Sequence, residues 1–459
     1  MWTRPGLPSA ETRTSRGQKR AIVVTRLTND SETPGSWGTK RPRTRQPRRR
    51  PNPKCCWASL TYGPAGLIAE RALANGVEDY LSFRAVCREW RRSAKAIAVR
   101  AQGCLDRRFY PSRWIMLRDA ALPGSGSSRR RFLNVSTGEC VQTELPELDD
   151  AQGHHHLLGA TAEGLLALLD TSTYAVRLLN PLTRQLAELP SLYPLLPAKT
   201  LDDIADDGLA GALEVRGLGL AAASDNATDD DVALALCFIK PVMLVAAKPG
   251  DGSWTLVHGD ERWFYSATSF AGRFYCADGR SVMALEPTTA DEPPRLVVVA
   301  KITIRVSHIG NDTVHLVVKG GGADEEELLL LYRGQRPQED DPYARWRMKY
   351  VAFRVDLATR ETVPLTGLGA GGIAVFLGEE RALSVPHGVF PTISADTVYL
   401  GFDLFEREYE KLCAYCLLDG TTECSIFSSD DGWARPCDIV DYLSWYVSGT
   451  GTCEGIEDI

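Results

Sequence analysis

Ala175-Val176-Arg177-Leu178-Leu179 followed at once by Asn180-Pro181-Leu182-Thr183-Arg184 is a five-residue apolar run closed by a polar turn, and the rest of the chain repeats that design. The run is too short for a helix, and the Asn-Pro pair stops it, so it reads as a strand entering a tight turn. The same arrangement stands at Phe132-Leu133-Asn134-Val135-Ser136-Thr137-Gly138 and at Phe353-Arg354-Val355-Asp356-Leu357-Ala358-Thr359-Arg360. Further candidate strands run from 232 to 239, 253 to 257, 273 to 276, 282 to 285, 296 to 306, 313 to 318, 327 to 332, 350 to 356, 373 to 377, 397 to 402 and 412 to 418. More than a dozen short strands exceed one sandwich and favour radial repetition, which protects strand edges; six to eight blades of a β-propeller are expected over residues 131–445. Long amphipathic helices are not evident there, and residues 446–459 read as a C-terminal tail.

Upstream the texture changes twice. Residues 1–54 hold 14 Lys/Arg against 3 Asp/Glu, a net charge of +11 within a chain of net −7, so the remainder carries −18. Rich in Arg, Pro, Ser and Thr, this tail has too little apolar surface to offset the entropy of ordering and is expected to be disordered. Its run Lys40-Arg41-Pro42-Arg43-Thr44-Arg45-Gln46-Pro47-Arg48-Arg49-Arg50 suits nuclear import or unspecific phosphate contact, and equally a solvated linker. Residues 55–100 read as a small helical domain. Leu67, Ile68, Arg71 and Ala72 lie at helical spacing, Gly76 breaks the chain, and Tyr80, Phe83, Val86, Cys87 and Trp90 form one apolar stripe in a second helix capped by Asp79. Residues 101–130, ending in Gly124-Ser125-Gly126-Ser127-Ser128, read as a linker. The whole is an α+β multidomain chain, in which a basic tail and a small all-α domain precede a large all-β one.

Trp57-Ala58-Ser59-Leu60, Leu67-Ile68 and Asp79-Tyr80-Leu81-Ser82-Phe83-Arg84-Ala85-Val86-Cys87-Arg88-Glu89-Trp90-Arg91 resemble the F-box of plant F-box proteins. Downstream, Asn180-Pro181-Leu182-Thr183 with Leu189-Pro190, Phe270-Ala271-Gly272-Arg273-Phe274-Tyr275, and Phe390-Pro391 through Val398-Tyr399-Leu400 resemble the propeller that comes after it in a large plant family. The resemblance implies a three-helix F-box that docks on the Skp adaptor of a cullin-RING ubiquitin ligase, while the propeller receives a protein target. Leu60, Leu67, Ile68, Leu73, Tyr80, Phe83, Val86, Cys87 and Trp90 then divide between internal packing and the adaptor interface. F-boxes usually open Leu-Pro, whereas this chain has Leu60-Thr61 and then Tyr62-Gly63-Pro64, so the first helix is expected to start late with Pro64 in its first turn. Two other readings stand beside the receptor: a ligase-independent interaction propeller with a degenerate F-box, and a propeller hydrolase.

No catalytic residue, cofactor or metal is expected. His154-His155-His156 reads as a solvent loop, because a contiguous triplet aims its side chains apart. Cys413 and Cys416 fall on opposite faces of a strand, and neither they nor Cys55-Cys56 have a second pair at zinc spacing. Gly367-Leu368-Gly369-Ala370-Gly371-Gly372 fits a dinucleotide fingerprint as text, but the next segment, Ile373 to Leu377, reads as a strand and not as the phosphate-binding helix. The acidic pairs Asp202-Asp203 and Asp206-Asp207 read as solvated surface. A nucleic-acid role lacks stacking side chains beside the basic run. No apolar run approaches the roughly 18 residues of a membrane span, and no secretory-type apolar core is seen, so twelve cysteines read as reduced thiols in a nuclear or cytoplasmic protein.

Overall fold

A computed structural model describes residues 62–99, 105–117, 129–148, 154–222, 232–259, 262–286, 293–307, 312–320, 326–337, 346–369, 371–401, 412–424 and 439–448. The basic tail, Leu60, and the cysteines at 55 and 56 lie outside these residues.

Three helices come first: α1 (Tyr62–Asn75), α2 (Val77–Val86) and α3 (Arg88–Val99). Pro64 stands near the start of the described part of α1, where a missing N–H leaves no bond unmade, and the residues before Tyr62 lie outside those described. Its inward face is Ala65, Ala69 and Leu73, spaced by four and buried. Gly76, at φ 153, separates α1 from α2 and serves as the N-cap of α2, its carbonyl accepting from Tyr80 N–H. Asp79 is therefore not the cap expected; it is the third residue of α2.

The continuous stripe expected through Trp90 is also corrected. Cys87 is extended (φ −159, ψ 169), and its sulfur accepts from Trp90 N–H at 3.4 Å, so the chain ends one helix and starts another. Seven residues along an unbroken helix would set Phe83 and Trp90 about 10 Å apart. The break instead folds Trp90 back, and the two rings stack at 4.5 Å between centroids.

A short 3₁₀ turn, Arg107–Phe109, comes next, with Asp106 Oδ1 accepting from Arg108 N–H at 3.0 Å. Phe109 is fully buried among the helices and meets Tyr80 edge-on at 5.0 Å. Leu81 packs on the far side against the cluster that holds Trp114, Phe132 and Leu166. The helices are thus seated on the first β-sheets.

Those sheets form a large all-β propeller with few helices. Four blades are four-stranded antiparallel meanders. They are β4–β7 (His155–Ala160, Leu166–Asp170, Ala175–Leu179, Leu186–Ser191), β8–β11 (Glu214–Ala222, Val232–Lys240, Val242–Ala247, Thr255–His258), β12–β15 (Ser266–Phe270, Arg273–Ala277, Ser281–Glu286, Arg295–Lys301) and β16–β19 (Thr313–Lys319, Glu327–Pro337, Trp346–Asp356, Glu361–Pro364). The last two are joined at their outer strands by one parallel pairing, Lys301 with Glu361. A three-stranded sheet, β1–β3 (Trp114–Leu117, Arg129–Asn134, Cys140–Glu144), precedes them. A five-stranded one, β20–β24 (Ile373–Leu377, Ala382–Pro386, Thr397–Leu400, Leu412–Cys416, Thr422–Cys424), comes after them in the order β21-β20-β22-β23-β24.

The core lies between neighbouring sheets, and it closes a ring. Leu169 and Val176 pack on Leu218 and Leu234; Cys237 and Leu244 on Phe274 and Cys276; Val282 and Ala284 on Leu328 and Leu330; Leu329 and Leu331 on Val375 and Leu377. Phe376 and Tyr399 then pack on Ile115 and Leu133, while Phe132 returns to Leu166 and Leu168. Each strand offers one face to the sheet before it and the other to the sheet behind, which is why so many read as unbroken apolar runs.

The turns that punctuate the sequence share one device. Asn134, Asp170, Asn180 and Asp356 each accept, through a single side-chain oxygen, the backbone N–H groups two and three residues on. Gly138, Tyr174, Arg184 and Arg360 close these turns at positive φ. Asn180 goes further: it is fully buried, and its Nδ2 donates to Phe109 O at 2.7 Å, tying a propeller turn to the strap below the helices.

Four further expectations need correction. The stretch 101–130 holds strand β1, all four of its residues apolar, and so is not only a linker. The region in which no long amphipathic helix is evident from the sequence holds one, α4 (Ala198–Ala212), interrupted at Gly208 (φ 77), with Leu201, Ile204 and Leu209 against the core, while Asp202, Asp206 and Asp207 are exposed as expected. The C-terminal part crosses the boundary expected at 445 as helix α5 (Ile439–Val447), whose Leu443 and Val447 are fully buried against β1 and the last sheet. His155 and His156 open β4 and are not in a loop; His155 Nε2 lies 2.7 Å from Arg177 Nη1, and burial together with that arginine holds the imidazole below its usual range.

Candidate interaction surfaces

Of the residues singled out for adaptor contact, the structure turns some inward and leaves others out. Leu73, Tyr80 and Phe83 are buried among the helices, and Tyr80 donates its hydroxyl to Ala94 O at 3.0 Å. Burial also raises the Tyr80 phenol, with the Arg84 guanidinium, 5.6 Å from the ring centre, opposing it. Trp90 and Cys87 are half-buried, one stacked on Phe83 and the other capping α3. Leu67, Ile68 and Val86 face solvent, at 68%, 38% and 61% of their full exposure. Leu60 lies outside the described residues. The helical spacing read in the sequence therefore mixes two populations, an internal set that holds three helices together and an apolar set that stays outside the core of the described residues.

A second surface has no counterpart among the sequence motifs. The central channel encloses a cavity of about 190 Å³ lined by the inner strands of every sheet: Ile115 from β1, Leu158 from β4, Leu218 from β8, Ala267 from β12, Leu316 from β16 and Leu383 from β21. Its charged groups are Arg113, Glu163, Glu326, Glu380 and Arg381. Arg113 lies 3.7 Å from Glu326, and Arg381 lies 4.0 Å from Glu380 with its guanidinium 5.0 Å over the Tyr446 ring. Glu163, in the turn between β4 and β5, is enclosed at its carboxyl end, and that enclosure pushes the group above the usual carboxylate range. The lining comes from widely separated segments, from Ser112 to Tyr446, so no single local motif marks this site. The one local signal is the acid in Thr161-Ala162-Glu163-Gly164, a turn between two apolar strands.

Two close approaches fix the channel wall. A Cβ on Gly217 would stand 2.1 Å from Ala267 O, and one on Gly219 would stand 2.7 Å from the Ser269 side chain, so β8 meets β12 only because both positions lack side chains.

Comparison with known proteins agrees with this architecture. No curated protein matches the chain. The profile of one family, the KIB1-4 beta-propeller, matches residues 132–428, from β2 to just past β24 and over well more than half of the sequence. The chain belongs to the KIB1-4 beta-propeller family.

Proposed function

We propose that this protein is the substrate-receptor subunit of a Skp–cullin–F-box ubiquitin ligase, the helices at 62–99 binding the Skp-type adaptor and the propeller binding a protein target. The observation that carries the reading is the exposure of Leu67, Ile68 and Val86 on helices whose Ala65, Ala69, Leu73, Tyr80 and Phe83 are packed. Burying three such side chains against a partner contributes on the order of 1.5–3 kcal/mol each before the costs of association. The propeller family match is compatible with a protein-interaction role. Function is by proximity: the receptor raises the local concentration of target near a ubiquitin-charged enzyme supplied by other subunits, and no residue of this chain performs the covalent chemistry. Such a subunit works in the nucleus, the cytoplasm or both.

The test is co-purification of the full chain with a purified Skp-type adaptor, beside Leu67→Asp and Val86→Asp. Binding by the wild type and its loss in either variant support the receptor. A folded wild type that does not bind leaves an interaction propeller that works outside the ligase.

A further inference from the structure

Glu163 stands apart from every other charged group in the channel. Arg113 and Arg381 each have a carboxylate within 4.0 Å, whereas Glu163 has no ion pair among the described residues. Its Oε2 is shut off from solvent and has no hydrogen-bond partner, and the same holds for Oγ of Ser269 on β12, which is 1% exposed. The Ser269 and Thr161 hydroxyls lie close enough to favour the ionised form, but burial outweighs them, and the Arg107 charge acts most weakly of all. The lining is mixed, with Ser266, Thr268 and Ser384 beside the apolar side chains of Leu218, Ala267 and Leu316.

From this geometry we infer that the channel binds a primary ammonium group, carried by a small amine or by a lysine side chain, with Glu163 as its counter-ion and Ser269 Oγ as an acceptor. An ammonium is a compact charge with three donors, which suits a carboxylate and hydroxyls gathered at one end of a small cavity. A guanidinium would need a coplanar pair of acceptors, and an anion would meet an unpaired carboxylate where both arginines are already matched. The side chains of Leu218, Ala267 and Leu316 offer the alkyl stem apolar contact, as lysine stems are taken elsewhere. Ion pairing favours the carboxylate form of Glu163, so binding strengthens as pH rises through the range in which that group titrates. The other charged or titratable groups facing the cavity are Glu326, Glu380, Tyr446, Arg113 and Arg381, with Arg107 behind Glu163. The inference does not depend on the adaptor reading.

Calorimetry on the full chain tests it with three probes: n-butylammonium, Nα-acetyl-lysine amide and the neutral 1-butanol. The ammonium probe is expected to bind, more tightly as pH rises from about 5 to 8, and Glu163→Gln is expected to weaken it at least tenfold. Glu163→Gln keeps the shape and removes a group whose ionised form burial disfavours, so its thermal unfolding should match or exceed the wild type's. Ser269→Ala provides a second variant, with a several-fold loss expected. Binding of acetyl-lysine amide alongside butylammonium marks a lysine side chain as the source, and binding of butylammonium alone marks a free amine. No binding of either amine to the folded wild type, equal binding by Glu163→Gln, or equal binding of 1-butanol would overturn the assignment.

Discussion

The helices and the propeller use apolar residues in opposite ways. In the propeller nearly every apolar strand residue is covered twice over, because each sheet packs between two others, and the ring leaves no sheet among the described residues without a neighbour. The three helices have one small cluster around Tyr80, Phe83 and Phe109, and they leave Leu67, Ile68 and Val86 in solvent. So small a helical unit cannot bury enough surface to be robust by itself, and it gains support from Phe109 and Leu81 at the propeller. The difference teaches where partners belong. A region that satisfies itself tolerates an internal channel, whereas a region that does not has an unfinished face.

The sharpest way to break this comparison is Tyr80→Ala. The change removes a fully buried ring, its edge-on contact with Phe109 and the hydrogen bond to Ala94 O, a loss of about 3–5 kcal/mol. That is enough to unfold a small helical unit while the ring of sheets persists. Hydrogen exchange should show protection lost in α1–α3 and kept in β4–β19. Uniform loss across the chain would mean that the two regions share one cooperative unit.

A second prediction concerns pH and lives in the propeller alone. His315 on β16 is buried, bonded to Thr313 Oγ1 at 2.9 Å, and held at about 3 by burial first and by Arg333 and Arg216 after it. The folded state therefore refuses a proton that the unfolded chain takes near 6.5. Stability conferred by the neutral form is complete above that value and declines as pH falls toward 3, by about 3 kcal/mol between pH 7 and pH 4. Glu163, raised in the folded state, has the opposite sign, its contribution being largest in acid. Denaturant titrations across this range should show a shallower acid decline in His315→Gln than in the wild type, and an unchanged slope would remove His315 from the account.

His315 carries no local signal of its role and Glu163 only that of an acid in a turn between apolar strands, and this contrasts with what is legible in the sequence. The strands are visible because short apolar runs and turn residues are local signals: Ala175–Leu179 and Ile373–Leu377 agree to the residue. α4 is hidden because its acids read as surface and Gly208 interrupts its period. β1 is hidden because four apolar residues in a linker carry no period at all. On the helices, the spacing of Tyr80, Phe83, Cys87 and Trp90 suits one continuous helix as well as two, and only the sulfur cap and the ring stack distinguish them. Spacing also cannot separate Tyr80 from Val86, one buried and one exposed, since both are apolar at helical steps. The channel is beyond local reading, because closure of the ring is what gathers Arg113, Glu163 and Arg381.

A smaller effect is expected at the joint between the regions. Asn180→Ala removes the oxygen that accepts Leu182 and Thr183 N–H and the amide that donates to Phe109 O, leaving buried backbone groups unsatisfied at a cost of about 1–3 kcal/mol. If the joint is real, the helices lose more protection than the sheets around Asn180 do. Asn134→Ala makes the comparison, since its side-chain oxygen serves the same turn geometry at Ser136 and Thr137, in the β2–β3 hairpin. It should disturb its own hairpin and spare α1–α3.

The smallest effect on stability is the one that decides function. Leu67→Asp and Val86→Asp place charges at positions already in water, so folding should shift by no more than about 0.5 kcal/mol. Phe83→Asp buries a charge where a ring stacked on Trp90 and should unfold the helices outright. Adaptor binding lost in all three variants, with only Phe83→Asp losing helical signal by circular dichroism, separates an interface from a scaffold. If Leu67→Asp and Val86→Asp bind as the wild type does, the exposed apolar set is not the contact, and the unfinished face of the helices must be completed by something else.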